Sequence, residues 1–301
     1  MTWQPVVVGV DTSPEGAQAA AAGWGIAQTA GAGCHLLHVV REPSHIDAST
    51  SARNQTEQLM KEMLRAAQRT VEETLAPAVP PQALEHLEVR SGNAAWVLAQ
   101  AVADLGAGLL VLGGKHHAAP VRWFGGSTVH HVVRTVDVPL LVTTTAAHTF
   151  DRVLVAVDLS EAAPATLRGA LDFAAPFGAA VRVLHVVEPL PSIPDVGIQL
   201  DEGEHLRLAE AGTTELIAAL DLDVPVEQVV RCGAPARMVA EEVSQWGGDL
   251  VVVGTHGKGW VDRVLLGSTT ERLLNRLPCS VLVIPVGSPK PNGDRERKGS
   301  A

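Results

Sequence analysis

Short, β-branched apolar runs alternate along the chain with longer stretches whose apolar positions recur at helical spacing. In the first half the runs 6–10, 35–40, 84–90, 109–113 and 139–143 predict strands. Their apolar character is continuous and does not alternate with polar residues, which points to strands covered on both faces and hence to a parallel sheet. Between them, 14–30, 52–76, 93–105 and 127–136 read as helices. The first opens on Ser13-Pro14-Glu15, which supplies an N-cap, a proline at the first helical position and an acidic first turn. In the second, Leu64, Val71 and Leu75 keep to one helical face. Strand–helix alternation of this kind predicts an open, doubly wound α/β sheet with helices on both faces. Ligands of such sheets sit beyond the carboxyl ends of the strands, where the strand order reverses.

The pattern is then written a second time. VVVGVDTSPEGAQAA (6–20) is answered by VLVAVDLSEAAPATL (153–167), and CHLLHVVREP (34–43) by VRVLHVVEPL (181–190). LEVRSGNAAWVL (87–98) matches VVRCGAPARMVA (229–240), and LLVLGG (109–114) matches LVVVGT (250–255). GGSTVHHVV (125–133) and VPLLV (138–142) likewise return as LGSTTERLL (266–274) and CSVLVIP (279–285). Matched blocks in one order indicate duplication. The seam, near 143–151, is too short for a free linker, so the halves are expected to pack on each other. The domains are read as 1–146 and 151–287, with a polar, breaker-rich tail, 288–301, expected to be disordered.

Composition narrows the function classes. A formal charge of −10 argues against a general nucleic-acid or anionic-membrane binder. Cys34, Cys232 and Cys279 are far apart without a CxxC pair, which suits structural thiols in a reducing compartment. No apolar run reaches the length of a membrane span, and MTWQPVVVGVD lacks a basic segment followed by a long apolar one, so no signal peptide is expected. The expectation is a cytoplasmic protein.

The chemistry concentrates in GTHGKGWVDRVLLGSTTERL (254–273). Gly254 ends a predicted strand and Ser268 opens the following helix, whose first N–H groups and partial positive charge suit phosphate oxygens. Glycines at 254, 257 and 267 let backbone approach a ligand without a Cβ in the way. It is not a Walker loop, because Val252 stands where that motif needs glycine and Gly259 follows Lys258. Read alone, the stretch is equally a glycine-rich turn with an N-capping serine.

Gly254-x2-Gly257, nine residues, then Gly267-Ser268 resembles the nucleotide-binding signature of the universal stress protein family. The resemblance covers nearly the whole chain as two tandem copies. It includes Val10-Asp11 and Val157-Asp158 at the first strand ends, and Leu37-His38-Val39 and Leu184-His185-Val186 in the second strands. It implies Rossmann-like sheets of the adenine nucleotide alpha hydrolase kind, with five mostly parallel strands per half. It also implies ATP as ligand, with Mg²⁺ reaching the site through the phosphates. Adenine would lie near the strand-one aspartate and the second-strand valine, and the phosphates on the glycine loop. Carried over, the second-half site is Ala156, Asp158, Val186, Gly254, Gly257, Lys258, Gly267, Ser268 and Thr269, with Lys258 giving charge to the phosphates.

The first half departs from the signature. Gly9, Asp11, Val39, Gly113, Gly126, Ser127 and Thr128 fall in place, but His116 replaces the middle glycine in GGKHHAAPVRWFGGST. Either Lys115 or His116 contacts a phosphate there, or this site is weakened or empty.

Plainer readings stand beside these. Asp11 and Asp158 would serve equally as helix caps, although their place at strand ends favours a base- or ribose-facing role. His38 and His185, inside apolar strands, read as hydrogen-bonded scaffold. The pairs His116-His117 and His130-His131 have no neighbouring carboxylate or cysteine to complete a zinc site, and the scattered tryptophans read as packing residues.

Two function classes remain open. One is a nucleotide-responsive regulator in stress or growth control, with little or slow hydrolysis. The other is an enzyme, a slow ATPase or adenylyl transferase, using the same cradle; the sequence offers it no HxGH, SGGxDS or GxSxG motif. A nucleotide-free interaction protein is a third reading. The expected ligand is thus an adenine nucleotide, with no nucleic-acid or membrane partner. The apolar last strands, 138–143 and 281–285, would otherwise be exposed edges. Their pairing within one chain predicts a pseudo-dimer, leaving helical and loop surfaces for any homodimer.

Overall fold

The structure, a computed structural model, describes residues 3–41, 50–114, 128–189, 202–222, 224–255 and 266–286. The first half runs β1 (Val6–Val10), α1 (Pro14–Thr29), β2 (Cys34–Val40), α2 (Thr50–Leu75), α3 (Pro81–Leu84), β3 (Leu87–Ser91), α4 (Ala94–Leu105), β4 (Leu109–Gly113), α5 (Thr128–Val132) and β5 (Leu140–Thr143). The second runs β6 (Arg152–Val157), α6 (Ala163–Ala174), β7 (Ala180–Val187), α7 (Glu202–Ala218), β8 (Val226–Cys232), α8 (Pro235–Trp246), β9 (Leu250–Gly254), α9 (Ser268–Asn275) and β10 (Ser280–Ile284).

The strands form one ten-stranded sheet in the order β3-β2-β1-β4-β5-β10-β9-β6-β7-β8. Each half is the expected parallel, doubly wound sheet, and its order reverses between the first and fourth strands. The halves join where β5 meets β10 in antiparallel register, Val142 opposite Val281, Leu141 opposite Leu282 and Leu140 opposite Val283. The pseudo-dimer expected from the two apolar last strands is therefore the architecture.

Helices on both faces explain the unbroken apolar strands. Val6, Val8 and Val10 pack in the layer containing α1 and α6 residues, while Val7 packs in the layer of α4, α5, α8 and α9. An aromatic cluster reinforces the joint on one face. The Trp3 ring meets Phe173 edge-on at 5.2 Å, and Phe150 and Phe177 each lie 5.5 Å from it or from one another. Trp3 Nε1 also donates to the Asp172 carbonyl at 3.3 Å, so the start of the first half is held by α6 of the second.

One strand begins later than its apolar run suggests. The expected strand 84–90 is displaced to Leu87–Ser91 because Pro81-Gln82-Ala83-Leu84 folds into a short helix. Pro80 is extended before it, and Pro81 sits at a first-turn position where its missing N–H costs nothing. Another departure is Trp96, which is 62% exposed and does no packing in the interior. The Cys34 and Cys279 thiols are free, and burial pushes both up to about 12, whereas Cys232 is exposed. No described helix is long and apolar enough to cross a membrane. The tail 288–301 lies outside the described residues.

Candidate functional site

A cavity of about 440 Å³ opens at the reversal point of the second half, beyond the carboxyl ends of β6, β7 and β9. The sequence predicted nine residues for this site, and Ala156, Asp158, Val186, Gly254, Gly267, Ser268 and Thr269 all line the cavity. The remaining two, Gly257 and Lys258, lie outside the described residues.

Its β9 end is built around a helix start. Gly267 precedes α9 and no side chain among the described residues caps the helix, unlike α1 and α4, where Ser13 and Asn93 accept from first-turn N–H groups. Among the described residues the first-turn amides of α9 meet no side-chain acceptor, and they lie at the positive end of the helix. The start of α9 is held in place by two bonds. Thr270 Oγ1 donates to the Gly254 carbonyl at 2.8 Å, and Gly267 N–H donates to the Thr255 carbonyl at 2.9 Å. Thr255 is itself tied to β10, its N–H donating to the Ile284 carbonyl at 3.0 Å.

The opposite end is built on β6 and β7. His185 Nδ1 lies 2.8 Å from the Val157 carbonyl, and His38 makes the same bond to Val10 in the first half. A carbonyl only accepts, so Nδ1 carries the proton in both. These histidines are the hydrogen-bonded scaffold expected of them, and each fixes the strand end that presents Asp158 or Asp11. Each aspartate also accepts from the N–H two residues on, Asp158 from Ser160 at 3.1 Å and Asp11 from Ser13 at 3.0 Å. One carboxylate oxygen thus holds the turn before the helix, but neither aspartate is the cap itself, since Ser13 caps α1 and Ala162 stands at the cap position of α6; Asp158 still faces the cavity.

Sequence reasoning missed several walls of this site. Thr166 on α6, Val239 on α8, and Glu188 and His205 near α7 line it as well. They come from helices and loops whose distance from the glycine motif is set by the fold, so no spacing marks them.

In the first half Gly9, Asp11, Val39 and Gly113 stand at or beside the ends of β1, β2 and β4, and Thr128 opens α5. Lys115, His116, Gly126 and Ser127 lie outside the described residues. Gly113 is required by a close approach: a Cβ there would fall 2.4 Å from the Glu15 carbonyl oxygen of α1. The tether made by Thr270 has no counterpart, because Val129 occupies that place. Burial lowers the half-buried His130 imidazole below its usual range, against the opposing pull of Glu271 from α9. Among the described residues no group of three or more His, Cys, Asp or Glu could hold a metal.

Comparison with known proteins accords with this geometry. The universal stress protein family matches residues 2–144 and again 149–285. A universal stress protein of Mycobacterium tuberculosis is 32% identical over 191 residues, covering 58% of this chain and 61% of that protein. The chain thus spans about 61% of the length of that relative. One from Mycolicibacterium smegmatis is 32% identical over 206 residues, covering 65% of this chain and 67% of the other. A universal stress protein structure from Archaeoglobus fulgidus has the same fold, with a TM-score of 0.64 at 20% identity, over 95% of this chain and 100% of that one. Two family matches in tandem, on two halves of one sheet, make this chain a member of the universal stress protein family.

Proposed function

We propose that the second-half crevice binds ATP and that the chain is a nucleotide-responsive regulator in stress or growth control, with little or slow hydrolysis. The observation that carries this reading is the uncapped start of α9 at one end of a cavity whose other end lies over β6 and β7. Phosphates would rest on the backbone of Gly254, Gly267, Ser268 and Thr269, where donors and the helix dipole converge. The base and ribose would lie toward Asp158 and Val186. Lys258 and Gly257 complete the phosphate end in this reading, and Mg²⁺ enters with the phosphates. The first-half crevice, with Gly9, Asp11, Val39, Gly113, Lys115, His116, Gly126, Ser127 and Thr128, is a second nucleotide site of lower competence. The two halves act as domains 1–146 and 151–287 in the cytoplasm, and any homodimer uses helical or loop surfaces.

The test is to denature the purified chain by heat and identify what leaves it. ATP in the supernatant supports the regulator. ADP with free phosphate indicates turnover and favours the enzyme reading. A nucleotide-free protein that also fails to bind added ATP overturns the proposal.

A further inference from the structure

β3 is the outermost strand at one end of the ten-stranded sheet, and β8 is its counterpart at the other. An outermost strand has a single neighbouring strand, so the side chains that bridge the two bear more of its attachment. In the second half those contacts are ionic. Arg182 of β7 stands opposite Glu227 of β8 and its Nε donates to that carboxylate at 2.8 Å. Its Nη1 donates in turn to Glu242 of α8 at 2.6 Å.

The first half puts different chemistry at the same place. His35 matches Arg182 in the repeat, and the register that pairs Leu36 with Leu87 sets His86 opposite it. The two rings lie 5.8 Å apart between centroids, with their planes inclined at 57°. His35 is half-buried and His86 is exposed. Among the described residues neither side chain makes a hydrogen bond or ion pair.

Two facing imidazoles cannot form the ion pair of the second half. Each neutral ring does carry a nitrogen lone pair, and imidazole is a favoured ligand of late transition metals. Such an ion sits about 2.0–2.1 Å from the nitrogen, hence about 3.2 Å from the ring centre. Two rings sharing one ion are then about 4.5 Å apart at a right angle and about 6.4 Å apart when linear. The separation of His35 and His86 falls inside that range. Glu88 shares their face of β3 but accepts from Arg90 at 2.7 and 3.0 Å, which leaves the other coordination positions to water.

We propose that His35 and His86 form a two-imidazole site for a divalent late transition ion, Cu²⁺ ahead of Ni²⁺ and Zn²⁺, which clips β3 to β2. The preference follows the general affinity order for nitrogen ligands. The ion does for the first half what the Arg182–Glu227 pair does for the second. This site lies at the amino-terminal ends of β2 and β3, away from the crevices at the carboxyl ends, and is independent of the nucleotide reading.

The experiment titrates the chelator-stripped full chain with Cu²⁺ by calorimetry, beside the double variant His35→Arg/His86→Glu. That variant installs the second-half pair, and the remaining histidines give both proteins the same background. Wild type should bind one ion per chain more than the double variant, with two nitrogen donors in its electron paramagnetic resonance spectrum. His86→Gln alone should weaken this ion at least about tenfold, because the second imidazole contact is intramolecular. Cu²⁺ should also raise the melting midpoint of wild type by a few degrees more than that of the double variant. Equal stoichiometry and affinity in wild type and the double variant overturn the site. Should the double variant fail to fold, the exposed His86→Gln decides, and unchanged Cu²⁺ binding there overturns it equally.

Discussion

Leu141 and Leu282 face each other across the antiparallel pairing that joins the two halves, and neither has any measurable exposure. Both belong to the core layer that α1 and α6 cover, so the seam is interior and not a surface contact. Flanking polar groups extend the join: Ser280 Oγ accepts from the Thr144 N–H at 3.3 Å.

Aspartate at both positions would put two like charges opposite each other in an apolar layer. Each burial costs several kcal/mol, and the total approaches the whole stability of a domain. The double variant is expected to unfold or to part into separate halves. Thermal melting and small-angle scattering check this; a compact protein with an unchanged melting profile would show that the seam carries little of the stability.

That seam could be read in the sequence because it depends on a repeat and on apolar edge strands, both local patterns. The strand ends and the glycine positions were legible for the same reason. The aromatic cluster around Phe173 was not, since Trp3 meets it only after the halves have docked. Nor was His205, because periodicity marks which residues share a helix face and not which cavity that face overlooks. Pro80-Pro81 did carry a signal, and weighing it against the apolar run would have moved the third strand to its true start.

The Thr270 tether predicts a coupling between local stability and ligand affinity. Thr270 is buried and its hydroxyl is spent on the Gly254 carbonyl, so Thr270→Val keeps the volume and removes only the bond. The first half already has valine at the matching place. Stability should fall by about 1 kcal/mol, and ATP affinity at the second crevice should fall several-fold as the start of α9 loosens. Denaturant titration and calorimetry together test it. Lost stability with untouched affinity would detach the tether from the phosphate end.

Glu242 sets a pH dependence away from the crevice. Its side chain is 1% exposed and accepts from Arg182 Nη1 at 2.6 Å and Arg231 Nη2 at 2.7 Å. Burial alone would push this carboxyl up, but the hydrogen bonds and charges of Arg231 and Arg182 outweigh it and hold it below the usual range. A lowered folded value means that the stabilisation is fully present above the ordinary carboxylate value of about 4 and disappears as pH falls through the folded one. Glu242→Gln should therefore cost about 3 kcal/mol at neutral pH, the low end for breaking a buried pair because both arginines keep some contact with solvent. The gap between wild type and variant should narrow in acid below about pH 4. Denaturant melts across that window decide it, and a gap independent of pH would mean that shape, not charge, is what Glu242 contributes.

The last prediction concerns the loop position that differs between the copies, Gly257 in one and His116 in the other. If that backbone must come close to phosphate, a side chain at 257 obstructs it, and a carboxylate there adds repulsion to the obstruction. Gly257→Glu should therefore abolish ATP binding at the second crevice while the circular dichroism spectrum stays native. Gly257→His should weaken binding less, since imidazole brings bulk without negative charge. Conversely, His116→Gly should make the first half bind at least as well as before, raising the number of nucleotides per chain toward two if that crevice is blocked in the wild type. Stoichiometry and affinity from calorimetry read all three variants in the same experiment. Should none of them move either quantity in a protein with a native circular dichroism spectrum, the phosphates do not contact this position, and the cradle would have to be the start of α9 alone.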